Sequence, residues 1–359
     1  LSKELEEQCQ AESDRICQIV SLYHGGRYML YEYRRYPDVR LVFAPELQAG
    51  FFGGDPDNFT YPRHALDVSF VRAYGADGEP VESTHHFGWD AGGADEGELV
   101  FVTGHPGSTS RQITVSQFMY EREIRHPLLL AFFDDRLEVL KAVTDSAQRR
   151  ELSNAIFSLE NSQKLFRGEL EGLRSTSLLA RKIRWERELR DRLAEDPASA
   201  GRFAGLWERI AAIQEEKAGL YPRLVVDNTD NLFASQHLQL AAAVNAWVDQ
   251  QALPAEERGA PFTGDAAAAT RERIVEAGPV DRERSIALLA GRLRIAQQWM
   301  GADDPLVAAV RPGESPEEAA RRLVTSSRIS DADFRRRALT LGPDSLAALG
   351  DPLVDLAAE

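Results

Sequence analysis

The residues best suited to chemistry are concentrated in one stretch, 53–67, which reads GGDPDNFTYPRHALD. Its two glycines and two prolines favour a loop, and this loop carries three aspartates, one histidine and one arginine. Loops held by a rigid sheet often carry binding and catalytic side chains. The stretch is therefore the first candidate for a functional site, and its last residue, Asp67, could serve acid-base chemistry as the partner of a histidine.

Asp67 has two interpretations. It can cap the preceding loop by accepting hydrogen bonds from backbone amides, or it can orient a catalytic histidine and stabilise the imidazolium that forms. Leu66 and Phe70 are predicted to face one side of the strand that follows the loop, with Asp67 on the other side. The residues alone leave both interpretations open.

His64 is close to Asp67 in sequence but is not predicted to be its partner. Three residues along an extended chain place two side chains on opposite faces. No serine or cysteine in a recognisable nucleophile context lies nearby. A structural hydrogen-bonding role is therefore predicted for His64.

The other motifs do not match a complete phosphate-binding, metal-binding or hydrolase signature. The turn 104–110 resembles a phosphate cradle, but the GxxxxGK[ST] pattern is absent and Pro106 lacks an amide N–H, so a structural turn is predicted. The histidines do not have the spacing of a metal site, and no metal or other cofactor is predicted. GxSxG and HExxH are absent from the sequence.

The composition narrows the class of protein. A net charge of -15 over 359 residues argues against nucleic acid as a partner. No stretch approaches the roughly 20 apolar residues that span a bilayer, so no membrane insertion is predicted. Cys9 and Cys17 do not have the spacing of a zinc knuckle, and a disulfide and two buried thiols both remain open.

The elements that would position the loop form a β-rich first part, residues 1–117. Short apolar runs separated by turn residues favour an antiparallel barrel or sandwich there. These runs are 16–23, 28–33, 39–44, 66–74 and 99–103.

Apolar residues recur at helical spacing in residues 118–359, which are predicted to form an all-α domain. The predicted helices include 178–193, 203–220, 232–251, 266–276 and 282–300. Ser315, followed by Pro316 and Glu318, predicts the start of another helix. The fold class is thus α+β in two domains, and both termini are interpreted as cut points within a longer protein.

Three separated motifs resemble serine peptidase family 46, the bacterial dipeptidyl-peptidases of types 7 and 11. They are residues 39–45 (VRLVFAP), the stretch 53–67, and residues 102–111 (VTGHPGSTSR). The resemblance continues at 160–164 and 172–173 and covers essentially the whole chain. It implies part of a chymotrypsin-like double β-barrel, followed by an inserted all-α domain that caps the cleft.

The resemblance also implies roles for individual residues. Asp67 corresponds to the acid of a Ser-His-Asp triad, and Asn58 and Phe59 correspond to residues that hold the free N-terminus of the substrate. Family members usually carry tryptophan where this chain has Phe59, which keeps the apolar surface but loses the indole N–H. The catalytic histidine and serine are expected upstream and downstream of this chain, so that the chain alone would be inactive.

Further expectations follow from the resemblance. The implied substrates are peptides with a free N-terminus, the implied assembly of the complete protein is a homodimer, and the implied location is periplasmic or secreted. The preference for the residue before the cut bond is left open. The competing hypothesis is a non-catalytic peptide-binding or scaffold protein with the same fold, in which Asp67 only caps its loop.

Overall fold

The structure is a computed structural model and describes residues 1–12, 15–51, 57, 58, 60–102, 110–226 and 234–358. The chain divides into two compact units, Leu1–Gly107 and Ser108–Glu359. The predicted domain boundary, between residues 117 and 118, lies ten residues further along the chain.

The first unit contains two short helices and four strands in its described part. They are α1 (Ser2–Glu12), β1 (Ile16–Leu22), β2 (Arg27–Tyr33), β3 (Asp38–Phe43), α2 (Leu47–Gly50) and β4 (Phe70–Tyr74). Strands β1 and β2 form an antiparallel hairpin, and β3 pairs with β4 in a second antiparallel sheet. A disulfide between Cys9 and Cys17 joins α1 to β1, which decides the question that the sequence left open.

The predicted double β-barrel is not present among the strands that the structure describes. They form two separate two-stranded sheets, and neither closes. Residues 99–102 are not in a strand, and the strand predicted from residue 66 begins only at Phe70. A barrel needs a covered inner face, whereas Leu41 is 67% exposed and Val71 62% exposed.

The second unit is helical throughout its described part, as the apolar spacing predicts. Its helices are α3 (Val115–Tyr120), α4 (His126–Lys141), α5 (Ser146–Leu173), α6 (Thr176–Glu195), α7 (Pro197–Phe203), α8 (Leu206–Val226), α9 (Gln236–Ala252), α10 (Gly264–Val275), α11 (Arg282–Trp299), α12 (Pro305–Ala308), α13 (Pro316–Ser326), α14 (Ala332–Ala338), α15 (Pro343–Ala347) and α16 (Pro352–Ala358). The predicted start at Ser315 is confirmed: its hydroxyl accepts from the Glu318 amide, and the Glu318 carboxylate accepts from the Ser315 amide.

Helices α3 and α4 are joined without a break by one π-helical turn, Glu121–Arg125. Pro127 explains this widening, because proline lacks an N–H and its ring collides with the carbonyl four residues earlier in an α-helix. The turn places the His126 amide within hydrogen-bonding reach of the Glu121 carbonyl.

The main apolar core of this unit is built around α9 and α11, with Val244, Leu289 and Leu293 fully buried. Gly291 allows α11 to approach α4, since a Cβ at this position would overlap the carboxylate of Asp135. The same carboxylate accepts from Arg294 at 2.7 Å. The close packing of α11 and α4 therefore depends on glycine at position 291 as well as on apolar contact.

A buried arginine closes the end of α10. The Arg335 side chain, on α14, donates to the carbonyl oxygens of Ile274 and Val275 at 2.7 Å and to that of Ile329 at 2.8 Å. The residue is only 2% exposed. The last carbonyls of a helix have no partner within the helix, so Arg335 supplies the donors that they would otherwise lack.

A buried histidine links the π-helical turn to α5. His126 Nδ1 lies 2.9 Å from the Glu121 carbonyl oxygen, and Nε2 lies 2.8 Å from Oε2 of Glu169. Burial opposes the charged form, but the hydrogen bonds to Glu121 and Glu169 outweigh it and raise the pKa of His126 above its ordinary value of 6.5. The folded chain therefore stabilises the protonated form of His126 more than the unfolded chain does.

This arrangement predicts a pH-dependent contribution to stability. Because the folded pKa is raised, the contribution of His126 is complete below about pH 6.5 and is lost as the pH rises through the folded value. Wild type should exceed His126→Gln in free energy of unfolding by most below about pH 6.5, and this difference should narrow as the pH rises through the folded pKa. Urea unfolding of wild type and His126→Gln, at pH values below and above about 6.5, measures this difference in free energy of unfolding. A difference that does not change with pH would contradict the prediction. Neighbouring Tyr120, whose pKa burial raises to about 12, does not titrate in this window.

Candidate active site

The loop between α2 and β4 is organised by Asp57. Its carboxylate accepts from the backbone N–H of His64 at 2.9 Å, and its carbonyl oxygen accepts from the backbone N–H of Thr60 at 3.3 Å. The backbone N–H of Leu66 donates to the carbonyl oxygen of Ala49 at 2.9 Å, which ties the end of the loop to α2. These contacts, each of which uses a backbone N–H, hold the described residues at the end of the loop in place.

Arg63 lies between the two predicted site residues that the structure describes. Its Nη1 donates to Oδ1 of Asn58 at 3.4 Å, and its Nη2 lies 3.3 Å from Oδ2 of Asp67. The fold therefore brings Asn58 and Asp67, nine positions apart in the chain, to one guanidinium. The sequence did not point to Arg63, because a spacing of four residues predicts an ion pair only within a helix and residues 63–67 are not helical.

Asp67 lies in an irregular segment three residues before β4, so the prediction that it begins the strand is wrong. Its side chain is 60% exposed. Leu66 and Phe70, predicted to be buried on the opposite face, are 50% and 44% exposed. Within the described residues β3 pairs with β4, and Tyr74 of β4 forms one further bridge to Pro80. This small sheet leaves both side chains partly exposed.

His64 is held through its backbone and not through its ring. Its amide donates to Asp57, and no hydrogen bond joins the imidazole to Asp67 in the described chain. The expectation that these two residues do not form a catalytic pair stays a prediction. Phe59 and residues 103–109 lie outside the described residues, so the roles assigned to them stay predictions.

The groups in this loop can perform only part of a hydrolytic reaction. A carboxylate has two oxygens, so Asp67 can contact Arg63 through one and accept from a histidine through the other. The amide oxygen of Asn58 can accept from a substrate ammonium as well as from Arg63. Within the described residues, no group of three His, Cys, Asp or Glu side chains could hold a metal ion, and no helix is long and apolar enough to cross a membrane.

Comparison with known proteins gives consistent matches. A family model described as Peptidase S46 matches residues 1–359. An Asp/Glu-specific dipeptidyl-peptidase of Shewanella putrefaciens is 30% identical over 190 residues, which are 50% of this chain and 26% of that protein. Dipeptidyl-peptidase 7 of Phocaeicola vulgatus is 37% identical over 110 residues, 28% of this chain and 15% of that protein. The matched stretches thus cover only a minor part of the length of these relatives.

The fold is similar to that of solved structures. A crystal structure of Porphyromonas endodontalis DPP11 in complex with the dipeptide Arg-Glu matches with a TM-score of 0.62 and 19% sequence identity. The match covers 99% of this chain and 56% of that one. At this identity the likeness concerns the fold alone.

Proposed function

Because the chain belongs to the Peptidase S46 family, we propose that it is part of a serine dipeptidyl-peptidase, which releases dipeptides from the free N-terminus of peptides. The observation that carries the proposal is the family match across residues 1–359, with Asn58 and Asp67 brought to one arginine. The curated relatives are named as dipeptidyl-peptidases, which supports the reaction class.

In the proposed mechanism a serine Oγ attacks the carbonyl carbon of the second peptide bond. A histidine takes the hydroxyl proton and gives it to the leaving amine, and water then hydrolyses the acyl-enzyme. Asp67 accepts from the N–H of that histidine and stabilises the imidazolium. The serine and the histidine belong to polypeptide outside these 359 residues, so the 359-residue chain alone is expected to hydrolyse no substrate.

Exopeptidase selectivity is assigned to the start of the same loop. The amide oxygen of Asn58 accepts a hydrogen bond from the α-ammonium of the substrate, and Phe59 supplies apolar surface beside it. When the substrate ammonium is held at a fixed distance from the serine nucleophile, only the second peptide bond of the substrate lies within reach of that serine. An acylated N-terminus loses this charge-assisted hydrogen bond.

The strands of the first unit are proposed to belong to a chymotrypsin-like double β-barrel that further polypeptide completes. Support comes from the large apolar side chains of β3 and β4, which two-stranded sheets leave exposed. Isolated two-stranded sheets are marginally stable in water, so pairing with more strands would stabilise them.

The assembly and the location are also proposals. Homodimerisation of the full-length protein rests on the resemblance to the family. Location in the periplasm or outside the cell rests on the resemblance together with the Cys9–Cys17 disulfide, a bond that persists in oxidising compartments.

The experiment that tests the function assays the full-length protein on fluorogenic dipeptidyl substrates, each with a free or an acetylated N-terminus. The panel carries Asp, Glu or an apolar residue before the cut bond. We expect kcat/KM to be higher for the free amines by about 10- to 100-fold, the worth of a hydrogen bond to a charged group. Equal cleavage of the acetylated substrates would contradict the exopeptidase proposal. No cleavage anywhere in the panel would favour the non-catalytic peptide-binding or scaffold hypothesis.

A further inference from the structure

Arg63 stands out because it contacts two residues with different proposed tasks. Asn58 is assigned to the substrate ammonium and Asp67 to the catalytic histidine. The two terminal nitrogens of one guanidinium reach them, Nη1 to Asn58 and Nη2 to Asp67. The Arg63 side chain is 31% exposed, compared with 60% for Asp67.

We propose that Arg63 is a positioning residue that fixes the amine-binding Asn58 relative to the triad acid Asp67, and so couples N-terminal recognition to the rate of peptide cleavage. This inference rests on the proposed function of the same loop. Arg63 contacts neither substrate nor reacting atoms in this role. It acts through the two side chains that do.

The chemistry of arginine suits this task. A guanidinium is planar, and its donors point in fixed directions, so two acceptors bound by Nη1 and Nη2 are held at a set separation. A lysine ammonium is a compact point charge on a flexible stem and cannot fix two acceptors in that way. An amide oxygen and a carboxylate can each accept more than one hydrogen bond, so contact with Arg63 does not by itself exclude a substrate ammonium at Asn58 or a histidine at Asp67.

The described residues at the end of the loop are held in place by contacts that do not involve Arg63. Asp57 already binds the amides of Thr60 and His64, and Leu66 is bonded to Ala49. Removing the Arg63 side chain therefore leaves these backbone contacts in place. A change at Arg63 should appear in the catalytic constants and not in the thermal stability, which separates a positioning role from a purely structural one.

The test compares Arg63→Ala and Arg63→Lys with wild type in the full-length protein, on a substrate with a free N-terminus. For Arg63→Ala we expect kcat to fall and KM to rise, with kcat/KM lower by about 10- to 100-fold and the melting temperature unchanged, because small misplacements of catalytic groups cost rates of this order. Arg63→Lys should resemble Arg63→Ala more than wild type. If Lys restores both constants, or if Arg63→Ala keeps both, the positioning role is overturned.

A matched control uses Arg72 on β4, which pairs with Arg40 of β3 in the sheet and is exposed. Within the described residues its side chain has no hydrogen bond or ion pair. Arg72→Ala should keep the wild-type constants. Asn58→Ala, made in wild type and in Arg63→Ala, adds a coupling measurement. If Arg63 acts through Asn58, Asn58→Ala lowers kcat/KM by a smaller factor in Arg63→Ala than in wild type. Equal factors in the two backgrounds would contradict the inference.

Failure of the inference can be told apart from failure of the proposed function. If wild type does not prefer free N-termini, or if Asp67→Asn leaves kcat unchanged, the proposed function is wrong. The role of Arg63 is then wrong as well, because it rests on that function. If wild type and Asp67→Asn behave as proposed while Arg63→Ala matches wild type, only the positioning role is overturned.

Discussion

Asp67→Asn in the full-length protein is expected to lower kcat on free dipeptidyl substrates by about 10⁴-fold, with little change in KM. Asparagine has nearly the shape of aspartate, and its amide oxygen can still accept from Arg63, so the loop keeps its contacts. It lacks the negative charge that stabilises an imidazolium, and its amide favours the wrong histidine tautomer. The loss should therefore lie in the chemical step and not in substrate binding.

The control for this substitution is Asp95→Asn, an exposed aspartate in another loop of the same unit. It changes the net charge by the same amount and should leave kcat unchanged. Circular dichroism and melting temperature establish that each variant is folded. If folded Asp67→Asn loses less than about tenfold in kcat, Asp67 is a loop-capping acid and the triad assignment is wrong.

Arg335→Ala is expected to lower the free energy of unfolding by about 3–5 kcal/mol, because each buried carbonyl oxygen left without a donor costs about 1–3 kcal/mol. The substitution removes the donors from three carbonyl oxygens, those of Ile274, Val275 and Ile329, and leaves a cavity beside α10. Buried acceptors without a partner lose their hydration and gain nothing in return. The end of α10 should be the first part of the unit to loosen.

Arg336→Ala provides the comparison, because Arg336 is the next residue and its side chain is 48% exposed, with surface ion pairs to Asp333 and Glu276. Such pairs contribute about 0–1 kcal/mol. Urea unfolding of both variants and wild type gives the two differences directly. Similar losses for Arg335→Ala and Arg336→Ala would contradict the assignment of Arg335 as the cap of α10.

The helical half was predictable because its signals are local. Apolar residues at helical spacing predicted 282–300, and α11 is Arg282–Trp299. The Ser315 capping box was also readable, since a side chain and an amide three residues apart carry the whole interaction. Helix boundaries of this kind depend little on distant residues.

The β-rich half was less predictable because a strand depends on its partner. Residues 66–69 and 99–102 have strand-like sequences, yet neither segment pairs in the described chain. Strand preference is largely the packing of side chains against neighbouring strands, which the segment does not encode. The same reason explains why Leu66 is exposed although its pattern predicted burial.

The sequence by itself determined where the candidate site lies, the helical character of the second half, and the family resemblance on which the roles of Asn58, Phe59 and Asp67 depend. Only the tertiary structure decided that Cys9 and Cys17 are bonded and that Arg63 joins Asn58 to Asp67. It also decided that Arg335 serves a helix some 60 residues away. These contacts arise when the chain returns on itself, and no local periodicity or spacing specifies which distant residues then meet.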